Sequence, residues 1–149
     1  MRILFIAGLM LALCAAGSAH AACTPGSLDL RWPGGQAHFT VEVAADQAAR
    51  EKGLMFRDHM ASSAGMIFVY QAPNHARFWM KNTLLPLTAA FIADDGTIVN
   101  LADMKPQSTD SHCSAQPVRY VLGMNQGWFA KKGIKAGARL SGPPFEAKR

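Results

Sequence analysis

The stretch Phe78–Thr83, FWMKNT, brings the most chemically capable side chains of this chain into the shortest distance. Read as a strand with a period of two, it sends Phe78, Met80 and Asn82 to one side and Trp79, Lys81 and Thr83 to the other. The Lys81 stem then stands beside the Trp79 indole, an arrangement common on solvated faces and open to cation–π contact. An indole plate with an ammonium, joined by Arg57 from the connection after Gly53-Leu54-Met55, suits a small anionic or sugar-like ligand or a peptide carboxylate. Asn82 lies at the rim of the apolar side and must find a hydrogen-bond partner there. The candidate ligand site is therefore Arg57, Trp79, Lys81 and Asn82, with Asn82 the one expected to hold structure.

Two other chemistries compete with binding. Asp103 is the one carboxylate late in an apolar strand, and with Lys81 it would form the acid–base pair of an envelope enzyme. The serines sit in loops and no Gly-x-Ser-x-Gly occurs, so no hydrolase triad can be named and the catalytic residues stay unknown. The methionines Met55, Met60, Met66, Met80, Met104 and Met124 offer soft thioethers for Cu(I). Met55, Met66 and Met80 lie in apolar runs, however, where methionine more often fills core gaps. His38, His59, His75 and His112 are scattered without ligand spacing. No metal site or cofactor is expected.

These side chains need elements to hold them. AHFTVEVA, residues 37–44, alternates as a half-buried strand. Asp46 is placed as the N-cap of a short helix that ends at Gly53. GMIFVY and FWMKNT read as strands, and LPLTAAFIA with TIVNLADM as a hairpin around Asp94-Asp95-Gly96-Thr97. Residues 105–117 read as a long loop and VRYVLGM as a strand. A short helix follows, with Asn125 as its cap and Gly133 as its stop, and IKAGARL supplies a last short strand. Residues 23–35, rich in Gly and Pro, read as an irregular lead-in. Strands joined by turns point to a mainly β fold, a single compact antiparallel β-sandwich or small barrel with one or two short helices. The helix between the first strands leaves α+β as the alternative.

The chain of 149 residues begins with Arg2, an uncharged apolar run over 3–16, and Ala19-His20-Ala21. That is the pattern of a cleaved secretory signal, residues 1–21. Residues 22–149 are then one domain with a core about 37–140, and the protein is periplasmic or secreted. Membrane contact is expected only through the leader before cleavage. The formal charge of +5 includes Arg2 and is concentrated late in the chain. It lacks the interleaved aromatic-basic pattern of nucleic-acid binding, so no nucleic-acid partner is expected. The partner is instead a small ligand or envelope component. Cys14 leaves with the leader, and an oxidising compartment makes a Cys23–Cys113 disulfide the expected pairing.

REKGLMFRDHM, GMIFVY, FWMKNTLLPLTAAFI, DDGTIVNL, YVLGMNQG and GIKAGARL follow one another in this order. Together they resemble the family called domain of unknown function 192, over about residues 39–140. The resemblance implies a compact, mainly β fold, often exported, and no established activity, substrate or cofactor. Many relatives carry an acidic residue after the Val-Leu pair, where this chain has Gly123, so a carboxylate–lysine mechanism does not carry over at that position.

Overall fold

The computed structural model describes residues 25–32, 34–142 and 144–145. The expected leader, residues 1–21, and Cys23 lie outside them. The fold is mainly β, a curled sheet forming a half-barrel with two short helices. Its elements are β1 (Pro25–Trp32), β2 (Gly35–Ala44), α1 (Gln47–Lys52), β3 (Ala64–Asn74), β4 (Arg77–Phe78), β5 (Leu87–Ile92), β6 (Ile98–Met104), β7 (His112–Cys113), β8 (Val118–Asn125), α2 (Trp128–Lys131) and β9 (Arg139–Ser141).

Seven strands form one sheet in the order β6-β5-β8-β3-β2-β1-β9. Its edges approach each other at one end. Thr97 bridges Arg139, and backbone bonds run from Ile98 N to the Ala138 carbonyl and from Leu140 N to the Gly96 carbonyl, both 2.8 Å. The curl hides the edge groups that would otherwise be left unpaired. One pair departs from the antiparallel rule: β2 and β3 are parallel. A parallel pair needs a crossover rather than a tight turn, and α1 with its following loop supplies it.

Both faces of the sheet are covered. Tyr120, Leu122 and Met124 of β8 point into a cluster with Leu28, Phe39 and Trp128. Val121 faces the other way, into a second cluster with Phe68, Met80 and Phe91. The strict alternation along β8 is what allows one strand to serve two cores. Among the described residues no helix is long and apolar enough to cross a membrane.

Local chemistry explains the caps. Asp46 accepts from Ala49 N at 2.7 Å, satisfying one of the amides that the first helical turn leaves open. Gly53 ends α1 at φ 47°. The Asp95 carboxylate accepts from Thr97 N at 2.9 Å in the β5–β6 turn, and Gly96 takes φ 87°.

Three expectations about elements are corrected. The lead-in from 23 to 35 is largely strand: β1 pairs with β2 from Pro25 to Trp32, and Leu28 and Leu30 are buried. Gly34 and Gly35 lie at the hairpin, whereas Gly26 pairs with Val41 inside β1. Strand pairing in FWMKNT stops at Phe78. Met80 N turns to the Ser108 carbonyl at 2.8 Å and Thr83 N to the Met80 carbonyl at 3.1 Å, so Lys81 and Asn82 are turn residues rather than opposite faces of a strand. Asn125 does not cap α2. It ends β8, and its amide donates to the carbonyls of Met60 and Ala61, while Gly127 at φ 88° takes the N-cap.

Candidate functional site

Between α1 and the second face of the sheet lies a cavity of about 390 Å³. Its floor is apolar, formed by Leu54, Phe68, Met80, Leu87, Val121 and Gly123. Phe78 closes one side, stacked edge-on against Phe68 with ring centroids 4.8 Å apart. Gly123 keeps the floor low. A Cβ there would meet Leu54 Cδ1 at 3.5 Å and Phe68 Cε2 at 3.8 Å, ordinary contact distances. Anything longer would enter the cavity. Gly53 is needed for a different reason: its φ is positive and the Phe68 ring stands 3.2 Å from where a Cβ would be.

The rim is polar and mainly cationic. Arg50, Lys52 and Arg77 line it, against one carboxylate, Glu51. Arg50 is fixed: Nη1 donates to the carbonyls of Ala45 and Val69, and its guanidinium lies 5.1 Å from the Tyr70 ring centre. Tyr70 also lines the cavity. Burial pushes its phenol above the ordinary value, with the Arg50 charge opposing. Arg77 is exposed, and its side chain makes no hydrogen bond or ion pair among the described residues. A ring of donors over an apolar floor can orient a ligand that has an anionic end and an apolar body.

The four residues singled out from the sequence occupy different places around this cavity. Trp79 lines it and is half exposed. Lys81 is not part of the lining; its Nζ lies 5.4 Å from the Trp79 ring centre. Asn82 offers its carbonyl to Phe56 N at 2.8 Å. Arg57 grips the Glu42 carboxylate with both Nη atoms, at 2.5 and 2.8 Å. Asp103 is exposed and accepts from Thr88 Oγ1. Lys81 makes no ion pair among the described residues, so the Lys81–Asp103 pair is not formed. Cys113 is an exposed thiol at the end of β7. Met80 and Met104 are buried in the second core, and both line the cavity with Met55.

Arg50, Tyr70, Arg77 and Gly123 were invisible as a group, because only the packing of α1 on the sheet brings them together. The one local signal was Gly123, a residue without a side chain in an otherwise apolar strand.

A family model for DUF192, described as Uncharacterized ACR, matches residues 30–142. The chain belongs to the DUF192 family. A solved structure from Sinorhizobium meliloti 1021, described as a candidate transcription regulator, is 38% identical, with a TM-score of 0.79 over 83% of this chain and 98% of that one. A second, a protein of unknown function from Novosphingobium aromaticivorans DSM 12444, is 32% identical, with a TM-score of 0.78 over 91% of this chain and 100% of that one. No curated protein matches the chain. The family model and the two solved structures agree on family and fold.

Proposed function

We propose that this DUF192 protein is an exported binding module of the cell envelope whose ligand is a small amphipathic carboxylate. One observation carries the reading: an apolar cavity of about 390 Å³ is rimmed by Arg50, Lys52 and Arg77 against the single carboxylate Glu51. That volume lies near the lower end of ligand pockets, about 300–1,000 Å³, which favours one short apolar chain or ring. Arg77 is the side chain available to pair with the ligand's carboxylate, and the Tyr70 hydroxyl is a second donor. Trp79 walls the mouth, and Lys81 packs over its ring. Asn82 ties the turn that carries Trp79 to Phe56, and the neighbouring Arg57 is held by Glu42. Export is supported by the leader-like pattern of residues 1–21.

The test uses protein lacking residues 1–21 and three ligands sharing one alkyl chain: decanoate, decanol and decyltrimethylammonium, each below its micellar concentration. Decanoate should bind by calorimetry and raise Tm, decanol should bind more weakly, and the cation should not bind. Arg77→Ala should weaken decanoate at least about tenfold, the worth of one charge-assisted contact. Equal binding of the cation and the carboxylate would defeat the reading.

A second reading has one observation in its favour. Met55, Met80 and Met104 line the same cavity as Trp79, and thioethers select Cu(I). Competition for Cu(I) against bicinchoninate would decide it. Loss of affinity in Met80→Leu and Met104→Leu would support copper, and unchanged affinity would dismiss it.

A further inference from the structure

Phe56, Trp79 and Leu84 are the large apolar side chains left in solvent among the described residues, 68%, 49% and 46% exposed. A single knob carries all three. Trp79 and Leu84 flank the turn that Thr83 N closes on the Met80 carbonyl, and Phe56 is tied to that turn through the Asn82 carbonyl. Phe56 holds φ 64°, a conformation that disfavours a bulky side chain and persists only where the surroundings impose it. The fold thus keeps an aromatic ring at an exposed tip against its local preference.

Lys81 lies over Trp79, and Arg77 lines the cavity with Trp79; neither makes an ion pair among the described residues. The charges of Lys52 and Arg57 are offset by Glu42 and by Glu51 and Asp58, their neighbours in sequence, so Lys81 and Arg77 are the cations left over beside the knob. An indole and a lysine together with exposed Phe and Leu side chains are the composition that enters the interface of a lipid bilayer. We infer that this knob docks on an anionic phospholipid surface. Two arguments select that occupant. Three side chains are too few for the buried core of a standard protein–protein interface. A second copy would bring the same cations against these, whereas anionic headgroups complement them and the net positive charge that the chain keeps without Arg2.

Docking extends membrane contact beyond the leader. It does not depend on the cavity, but Trp79 belongs to both, so a docked knob would set the cavity mouth at the bilayer. Amphipathic carboxylates partition there, and this last link rests on the proposed ligand.

The experiment is vesicle co-sedimentation of protein lacking residues 1–21, with vesicles of phosphatidylcholine alone or mixed equally with phosphatidylglycerol. The protein should pellet with the mixed vesicles, less so in high salt, and not with phosphatidylcholine. Phe56→Ser, Leu84→Ser and Lys81→Glu should each weaken partitioning at least about fivefold, with circular-dichroism melting unchanged. Vesicles should shift wild-type tryptophan emission to the blue, and Trp79→Phe should remove the shift. Failure to pellet, or equal pelleting of wild type and a Phe56→Ser/Leu84→Ser double variant, overturns the proposal. So does a concentration-dependent dimer that these substitutions dissociate without any effect on vesicles. Gly123→Leu separates the two readings: it should abolish decanoate binding and leave docking intact, whereas Phe56→Ser should do the reverse.

Discussion

Phe56 donates its backbone N–H to the Asn82 carbonyl at 2.8 Å, and both residues sit at positive φ, 64° and 55°. Each end of the link joining the α1 loop to the 79–84 turn is therefore in the left-handed region. Asparagine enters that region with little penalty, whereas a β-branched residue does not. Asn82→Val should lower unfolding free energy by about 1–2 kcal/mol, and Asn82→Gly should stay within about 0.5 kcal/mol of wild type. Urea denaturation measures both. Equal losses would show that the Asn82 side chain, not its backbone conformation, is what matters.

The Arg57–Glu42 pair gives the chain a term in its acid stability. The hydrogen bond from Arg57 lowers the Glu42 carboxyl below its ordinary value of 4.5; burial opposes this, and the charges of Arg57 and Lys52 add to it. With the folded-state pKa depressed, the unfolded chain binds the proton more readily between the two values. The pair's contribution is thus complete above 4.5 and is lost as the pH falls through the folded-state value. Both side chains are about a third exposed, so Glu42→Gln should cost no more than about 1 kcal/mol at neutral pH. The gap between wild type and Glu42→Gln should narrow in acid. A constant gap across a pH series of melting curves would assign the loss to packing instead.

How far the sequence could be read depended on the range of the interactions involved. Asp46 and Gly53 were legible because a cap is decided within four residues, and the Asp95-Gly96 turn for the same reason. The mainly β fold was legible from alternation. Lys81 and Asn82 were misplaced because FWMKNT has the composition of a strand, while its backbone partners are Ser108 and Phe56, about 25 residues away on either side. Residues 25–32 read as irregular because Gly and Pro are turn formers, and Leu28 and Leu30 find the core only once β1 pairs with β2. The cavity was beyond reach, since it exists only where α1, β4 and the sheet meet.

Gly65 shows a close approach of a different kind. A Cβ on this β3 residue would stand 2.6 Å from the Gly123 carbonyl oxygen and 2.3 Å from Met124 Sδ. The methionine end could swing aside, but the β8 backbone could not move without disturbing the β3–β8 ladder. Gly65→Ala should therefore destabilise by about 1–3 kcal/mol, the usual cost of overpacking. Denaturant midpoints measure it. A neutral result would mean that the two central strands can separate more easily than their shared register implies.

Gly123, whose carbonyl makes that contact while its Cα faces the cavity, should respond in the opposite way when substituted. Its Cβ position has ordinary clearance from Leu54 and Phe68, so Gly123→Ala removes backbone freedom from the unfolded chain and adds apolar contact, with an expected gain of up to about 1 kcal/mol. Gly123→Leu pushes a branched side chain over the floor that the ligand's apolar body needs. Its stability should stay within about 1 kcal/mol of wild type, because the space it enters is already there. Decanoate affinity by calorimetry should nevertheless fall at least about tenfold. If the leucine variant folds normally and still binds decanoate as wild type does, the ligand does not sit between α1 and the sheet, and the cationic rim of Arg50, Lys52 and Arg77 serves something other than that cavity.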